Sequence, residues 1–216
     1  MAELLIVRHG QASFGADNYD ELSDLGRQQS RALGDTLRGL GWVPDRMITG
    51  SLSRQKQTLE EMGFAGPVGE HRGWNEYDFH DLLHSRFGGR APRDVITDRK
   101  THFRALKDTL ADWQKGGISQ ARESWVQFCE RIEQARVDAI SVQAERVLVV
   151  SSGGVIARLV AASLAIPNDQ MIALNLQIKN TSTSRFVFSG EKFFLHEFNS
   201  VPHFHNQERA ELLTYS

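Results

Sequence analysis

The stretch Leu4-Leu5-Ile6-Val7-Arg8-His9-Gly10 decides the fold class of this chain. Four consecutive long or branched aliphatic residues predict a strand that is covered on both faces, as in the parallel sheet of an α/β protein. Such sheets bind ligands at the carboxyl ends of their strands. Arg8 and His9 follow the apolar run directly, so this stretch predicts a site at the end of the first strand.

Two later segments repeat this pattern of an apolar strand followed by a small polar turn. These segments cover residues 46–51 and 146–152. Helices are expected at about 24–38, from Ser51 or Ser53 to Met62, and from the paired glycines at 153–154 to 164. Alternating strands and helices predict a three-layer α/β/α fold with a mostly parallel central sheet. Three strand ends would then meet at one crevice.

The chain is expected to form a single domain over residues 1–216. Residues from about 80 to 140 are mostly helical in character and predict a helical cap insertion. Segments 184–188 and 192–198 alternate in polarity and predict an antiparallel hairpin. The histidines at 203 and 205 read as part of a surface tail.

Composition restricts the function classes. The 216 residues carry 25 Lys and Arg against 27 Asp and Glu, a formal net charge of −2, which provides no general attraction to nucleic acid or to anionic membranes. The single cysteine, Cys129, cannot form an internal disulfide, and no apolar run approaches the roughly 20 residues of a membrane span. A signal peptide is not apparent, so a cytoplasmic location is expected.

Three motifs together resemble the histidine phosphatase superfamily, which contains phosphoglycerate mutases and many small phosphomonoesterases. They are Arg8-His9-Gly10, Ser51-Leu52-Ser53-Arg54-Gln55-Lys56-Gln57-Thr58 and Asn75-Glu76. The resemblance extends over nearly the whole chain, including the segment from Leu22 to Gln29 and the strand–glycine–helix unit at 147–164. The fold that it implies is the phosphoglycerate mutase-like one.

The resemblance implies that His9 is a nucleophile that becomes phosphohistidine, with Arg8 and Arg54 as phosphate clamps. This agrees with elementary chemistry, because a neutral imidazole can attack phosphorus and guanidinium groups can bind non-bridging oxygens in pairs. Neighbouring cations also disfavour the imidazolium form. The alternatives are that Arg8 and His9 are an exposed pair at the end of a strand, and that Arg54 is an exposed arginine on a helix surface.

Glu76 fits the proton donor of the family, since expelling an alkoxide requires an acid beside the bridging oxygen. Aromatic neighbours would raise its pKa by desolvation. Asp78 and Asp81 are rival acids, and a solvated loop glutamate is the alternative.

The sequence departs from the family at Ser152, where the family usually places a second histidine. A serine hydroxyl can donate a neutral hydrogen bond to phosphate, and Gly153 begins a helix whose N–H groups can face an anion. The loss of one charged donor predicts that activity is reduced, more readily than that it is abolished. A simple helix cap at Ser152 is an equally weighted reading.

The loop after Gly10 departs as well, because Ala12 and Gly15 replace the polar residues usual in mutase-like members. This argues against a phosphoglycerate mutase. Gln11 and Ser13 remain candidate substrate contacts.

The expected function is therefore hydrolysis of a phosphomonoester through phosphohistidine at His9, without a metal or organic cofactor. A non-catalytic module that binds a phospho-ligand or a protein is the alternative. The expected partner is a phosphorylated small molecule or a phosphopeptide, and the sequence leaves the substrate and the oligomeric state open.

Overall fold

A computed structural model describes residues 2–13, 20–89, 92, 95, 99–141, 143–190, 192–205 and 210–215. Within them a six-stranded mixed sheet has the order β3-β2-β4-β1-β5-β6. The strands are β1 (Ala2–Arg8), β2 (Arg46–Thr49), β3 (Val68–Glu70), β4 (Arg146–Ser151), β5 (Thr183–Ser189) and β6 (Lys192–Ser200). The first four in spatial order are parallel to their neighbours, whereas β5 runs antiparallel to β1 and to β6.

The predicted strands at the centre of the sheet are buried on both faces. Alternate residues of β1 enter opposite hydrophobic clusters, with Leu4 and Ile6 on one face and Leu5 and Val7 on the other. The helices are α1 (Asp24–Gly39), α2 (Ser53–Met62), α3 (Phe79–Arg86), α4 (Arg99–Gln114), α5 (Trp125–Ile140), α6 (Gly153–Ser163) and α7 (Asn168–Asn175). Residues of α1 and α2 cover one face of the sheet, and residues of α4 to α7 cover the other. The predicted α/β fold with helices on both faces is confirmed.

The segment between β3 and β4 is helical, as predicted. Trp113 of α4 and Phe128 of α5 belong to the same cluster as Ile6 and Val147 of the sheet, so this segment packs on the main core. Residues 90, 91, 93, 94 and 96–98 of the predicted cap lie outside the described part of the chain. A single domain with a cap insertion at about 80–140 stays a prediction.

The carboxyl-terminal region differs from its predicted character. The hairpin is present, with β5 and β6 longer than expected. His203, however, is buried, and its Nε2 lies 2.8 Å from the hydroxyl of Thr181. The prediction of a surface tail is wrong for His203, because residues 202–204 pack against α1, whereas His205 is exposed. Within the described ranges, no helix is both long and apolar enough to cross a bilayer.

Candidate functional site

His9 lies just beyond β1 and is almost completely buried. Its Nδ1 is 2.7 Å from the carbonyl oxygen of Gly10, and the Nε of Arg54 donates to its Nε2 at 3.1 Å. A carbonyl only accepts and a guanidinium only donates, so Nδ1 carries the proton and Nε2 carries the lone pair. Burial, followed by the charges of Arg54 and Arg8, holds the pKa of His9 well below its usual value of 6.5.

Arg54 lies in the first turn of α2, after β2, and its side chain is largely buried. Its Nη1 donates to Oδ1 of Asp20 at 2.6 Å, and Oδ2 of Asp20 accepts from the backbone N–H of Ser53 at 2.8 Å. The carboxylate therefore ties the guanidinium to the start of its own helix. Asp20 orients Arg54, and the sequence alone offered no signal for this pairing.

Arg8 is held by the carboxyl-terminal part of the chain. Its Nη1 donates to the carbonyl oxygen of Ile178 and, at 3.2 Å, to that of Tyr215. A Cβ atom placed on Gly153 would lie 3.7 Å from Nε of Arg8, so this guanidinium is next to the start of α6. The predicted neighbours Arg8 and Gly153 are thus brought together.

Glu76 reaches the same helix start from the loop before α3. Its Oε2 accepts from the N–H of Gly154 at 2.9 Å, and its Oε1 accepts from the N–H of Tyr77 at 3.2 Å. Burial raises the pKa of Glu76 above 4.5, opposed by these N–H groups and by the charges of Arg54 and Arg8. The N–H of Gly154 is therefore occupied by a protein carboxyl group instead of facing an open anion site.

Ser152 follows β4 and is completely buried. Its side chain makes no capping hydrogen bond to α6, which contradicts the reading of Ser152 as a simple helix cap. Its hydroxyl oxygen instead accepts from Nε2 of Gln55 at 2.9 Å. Because Arg8 pairs with Ser151 in the parallel ladder, His9 and Ser152 leave adjacent strands side by side.

The two predicted substrate contacts differ in their surroundings. Oε1 of Gln11 accepts from the hydroxyl of Ser23 at 2.9 Å, so this amide belongs to the start of α1. The backbone N–H of Ser13 donates to the carbonyl of Glu21 at 2.8 Å. Gly15, whose identity argued against a mutase, lies outside the described residues. A role for Gln11 or Ser13 toward substrate stays a prediction.

A second layer of contacts supports the site and was missed by the sequence reading. Nδ2 of Asn180 donates to the carbonyl of His9 at 3.2 Å, and its Oδ1 accepts from the hydroxyl of Thr214 at 2.9 Å. The amide of Gln29 donates to that hydroxyl at 2.8 Å. These residues are distant in sequence, and no local pattern predicts their pairing.

The arrangement combines a neutral imidazole, two guanidinium groups and a carboxyl group of raised pKa. The residues come from the ends of β1, β2 and β4 and from the loop that carries Glu76. Across the part of the chain that the structure describes, no three His, Cys, Asp or Glu side chains are grouped to hold a metal ion. The fold and site define an α/β protein that places a histidine between two arginines and a buried carboxyl group at the carboxyl edge of its sheet.

The chain belongs to the histidine phosphatase superfamily (branch 1), whose family model matches residues 4–201. A 2,3-bisphosphoglycerate-dependent phosphoglycerate mutase of Parvibaculum lavamentivorans is 26% identical over 184 residues, covering 80% of this chain and 85% of the relative. Phosphoglycerate mutase-like protein 4 of Arabidopsis thaliana is 25% identical, covering 94% and 86%. The family resemblance seen in the sequence is confirmed.

Solved structures share the fold. A putative alpha-ribazole-5'-P phosphatase of Escherichia coli has a TM-score of 0.69 and 22% identity, covering 93% of this chain and 98% of that one. A phosphoserine phosphatase variant of Entamoeba histolytica in complex with phosphoserine has a TM-score of 0.67 and 19% identity, covering 94% and 99%. Mycobacterial glucosyl-3-phosphoglycerate phosphatase with VO3 has a TM-score of 0.68 and 24% identity, covering 93% and 100%.

Proposed function

We propose that this protein hydrolyses phosphomonoesters through a phosphohistidine intermediate at His9. The observation that carries the proposal is the state of His9, a buried neutral imidazole whose Nε2 lone pair lies against Arg54. An unprotonated ring nitrogen beside fixed cations is what nucleophilic attack on a phosphate ester requires. The superfamily and the phosphatases among its structural neighbours support the same reaction class.

In the first step, Nε2 of His9 attacks phosphorus and the bond from phosphorus to the ester oxygen breaks. Arg54 and Arg8 bind the non-bridging oxygens, so the Nε–H of Arg54 moves from the imidazole to the phosphoryl group. Glu76, whose pKa is raised by burial, gives its proton to the departing oxygen. The Nδ1–H bond to the Gly10 carbonyl stabilises the charge that develops on the ring.

In the second step, water attacks the phosphohistidine and the bond from phosphorus to Nε2 breaks. The Glu76 carboxylate takes a proton from this water, which restores the acid for the next turnover. The lone pair returns to Nε2, and inorganic phosphate leaves the two arginines.

We propose a phosphorylated small molecule or a phosphopeptide as the ligand. Glu76 and Tyr77 line a cavity of about 230 Å³, and its other lining residues carry both charges: Arg72, Arg122 and Arg131 with Asp78, Asp81 and Glu123. We infer that the leaving group extends toward this cavity, because Glu76 lines it, whereas His9, Arg8 and Arg54 do not. The phosphoserine bound by one structural neighbour has the same general chemistry.

A non-catalytic phospho-ligand module is the second candidate function. Ser152 favours it, because this position provides a neutral hydroxyl and no positive charge. Under this alternative, the arginines bind phosphate but turnover stays at background.

The first test is phosphate release from para-nitrophenyl phosphate by the wild-type protein and by His9→Ala. Turnover that is lost in H9A, with a phosphohistidine trapped by rapid denaturation in alkali, supports the phosphatase. Equal background rates with retained binding of inorganic phosphate support the binding module. Isomerisation of phosphoglycerate in the same preparations would instead identify a mutase.

A further inference from the structure

Gln55 is a completely buried polar side chain that the proposed mechanism does not use. It follows Arg54 on α2 and faces the interior, away from the exposed Lys56 of the next position. A buried amide is unfavourable unless its groups form hydrogen bonds. Its Oε1 has no hydrogen-bond partner among the described residues, so the bonds of its Nε2 are what hold the amide in place.

The orientation of the Gln55 amide follows from those partners. Its Nε2 donates to the backbone carbonyl of Trp74 and to the hydroxyl oxygen of Ser152, each at 2.9 Å. A carbonyl oxygen can only accept, so the amide nitrogen must face it. Both amide hydrogens are used, and the oxygen of Ser152 is the acceptor of one of them.

This contact determines the direction of the Ser152 hydroxyl. A serine hydroxyl has one hydrogen, and Gln55 already approaches an oxygen lone pair, so the hydrogen must point away from Gln55. Among the residues that the structure describes, that hydroxyl donates no hydrogen bond. Ser152 stands beside His9 at the ends of two adjacent strands, which are about 4.8 Å apart in a sheet.

We propose that Gln55 is a positioning residue that directs the hydroxyl hydrogen of Ser152 toward the phosphoryl group on His9. This proposal rests on the phosphatase function proposed above. Gln55 and Ser152 then act as one unit that supplies a third, neutral donor beside the two arginines. Such a donor contributes only while its geometry is fixed, because a freely rotating hydroxyl loses most of its effect.

The surroundings show that the space for this amide is restricted. A Cβ atom on Gly50 would lie 2.0 Å from Oε1 of Gln55 and 2.5 Å from Oδ1 of Asn75. The missing side chain at position 50 is therefore what admits the glutamine. Ser152 is equally enclosed, so a larger side chain at either position needs room from the other.

The main test is a cycle with Gln55→Leu and Ser152→Ala, using para-nitrophenyl phosphate. Leucine keeps the size of the side chain and removes both hydrogen bonds. We expect Q55L to lower kcat about tenfold with little change in KM, and to have no further effect in the S152A protein. Gln134→Leu, on the exposed face of α5, is the matched control and should leave kcat unchanged.

An additive loss in the Q55L/S152A double variant would overturn the proposal, because Gln55 would then act without Ser152. An unchanged kcat in Q55L would overturn it as well. A fall in melting temperature with kcat intact would assign Gln55 a structural role only.

A second pair of variants tests the shared space. Ser152→His adds as many non-hydrogen side-chain atoms as Gln55→Ala removes. We expect S152H alone to melt at a lower temperature, and Q55A/S152H to recover stability and exceed the wild-type kcat, because the imidazole ring supplies an N–H donor that does not rotate as a hydroxyl hydrogen does. Equal melting temperatures for S152H and Q55A/S152H would contradict the claim that the side chains at positions 55 and 152 share one restricted space.

The failure of the phosphatase function can be told apart from the failure of this proposal. If turnover is not lost in H9A, the proposed phosphatase function is rejected. The affinity for orthovanadate is then measured for the wild type, Q55L, S152A and Q55L/S152A. Q55L should weaken that affinity about tenfold, and only when Ser152 is present. An affinity that Q55L leaves unchanged overturns the positioning role.

Discussion

The position of the Glu76 carboxyl group depends on the missing side chain of Gly154. A Cβ atom there would lie 2.3 Å from Oε1 of Glu76 and 2.5 Å from Cε1 of Tyr77. In Gly154→Ala, Glu76 must therefore move by about 1 Å to reach ordinary contact. Displacing a reacting group by this distance lowers rates by about a hundredfold.

The choice of substrate separates this effect from general damage. An alkyl phosphate releases a strongly basic alkoxide that needs the proton of Glu76, whereas para-nitrophenolate leaves without much help. We expect G154A to lower kcat about a hundredfold for an alkyl phosphate and by less than about tenfold for para-nitrophenyl phosphate.

Gly39→Ala is the matched control, because nothing lies within 4 Å of a Cβ atom at this position of α1. It should leave both rates unchanged and stabilise the protein by about 0.5–1 kcal/mol. Equal losses for the two esters in a folded G154A protein would refute the assignment of Glu76 as the proton donor.

Two further predictions concern stability. The pKa of His9 is lowered by burial and by neighbouring guanidinium groups, so the unfolded chain binds this proton first as the pH falls. The free energy of unfolding should therefore decrease below pH 6.5, the usual pKa of histidine. The decrease should be smaller in His9→Asn. Parallel pH profiles of the two proteins in urea unfolding would contradict this prediction. Thr214→Val should lower the free energy of unfolding by about 1–3 kcal/mol, because it removes hydrogen bonds from the buried amides of Gln29 and Asn180. An unchanged urea midpoint would show that water replaces the hydroxyl.

Several parts of the fold could be predicted because their signals are local. The aliphatic run of β1 and the similar run of β4 are buried on both faces, and such strands are marked by their own composition. The paired glycines at 153 and 154 mark the start of α6. Ser152 was expected to cap that helix or to contact phosphate, and the cap reading is wrong because its oxygen serves Gln55.

Other features depend on residues that approach each other only after folding. Asp20 holds Arg54, Tyr215 holds Arg8, and His203 is buried against Thr181. Each contact joins residues that are far apart in the chain, and no local sequence pattern links the two partners.

The sequence by itself determined the α/β class, the family, and the presence of Arg8 and His9 at a strand end, because short-range polarity and spacing encode these. The tertiary structure alone decided the tautomer of His9, the raised pKa of Glu76 and the direction of the Ser152 hydroxyl. Burial and hydrogen-bond direction set those properties, and both arise from side chains that distant segments bring together.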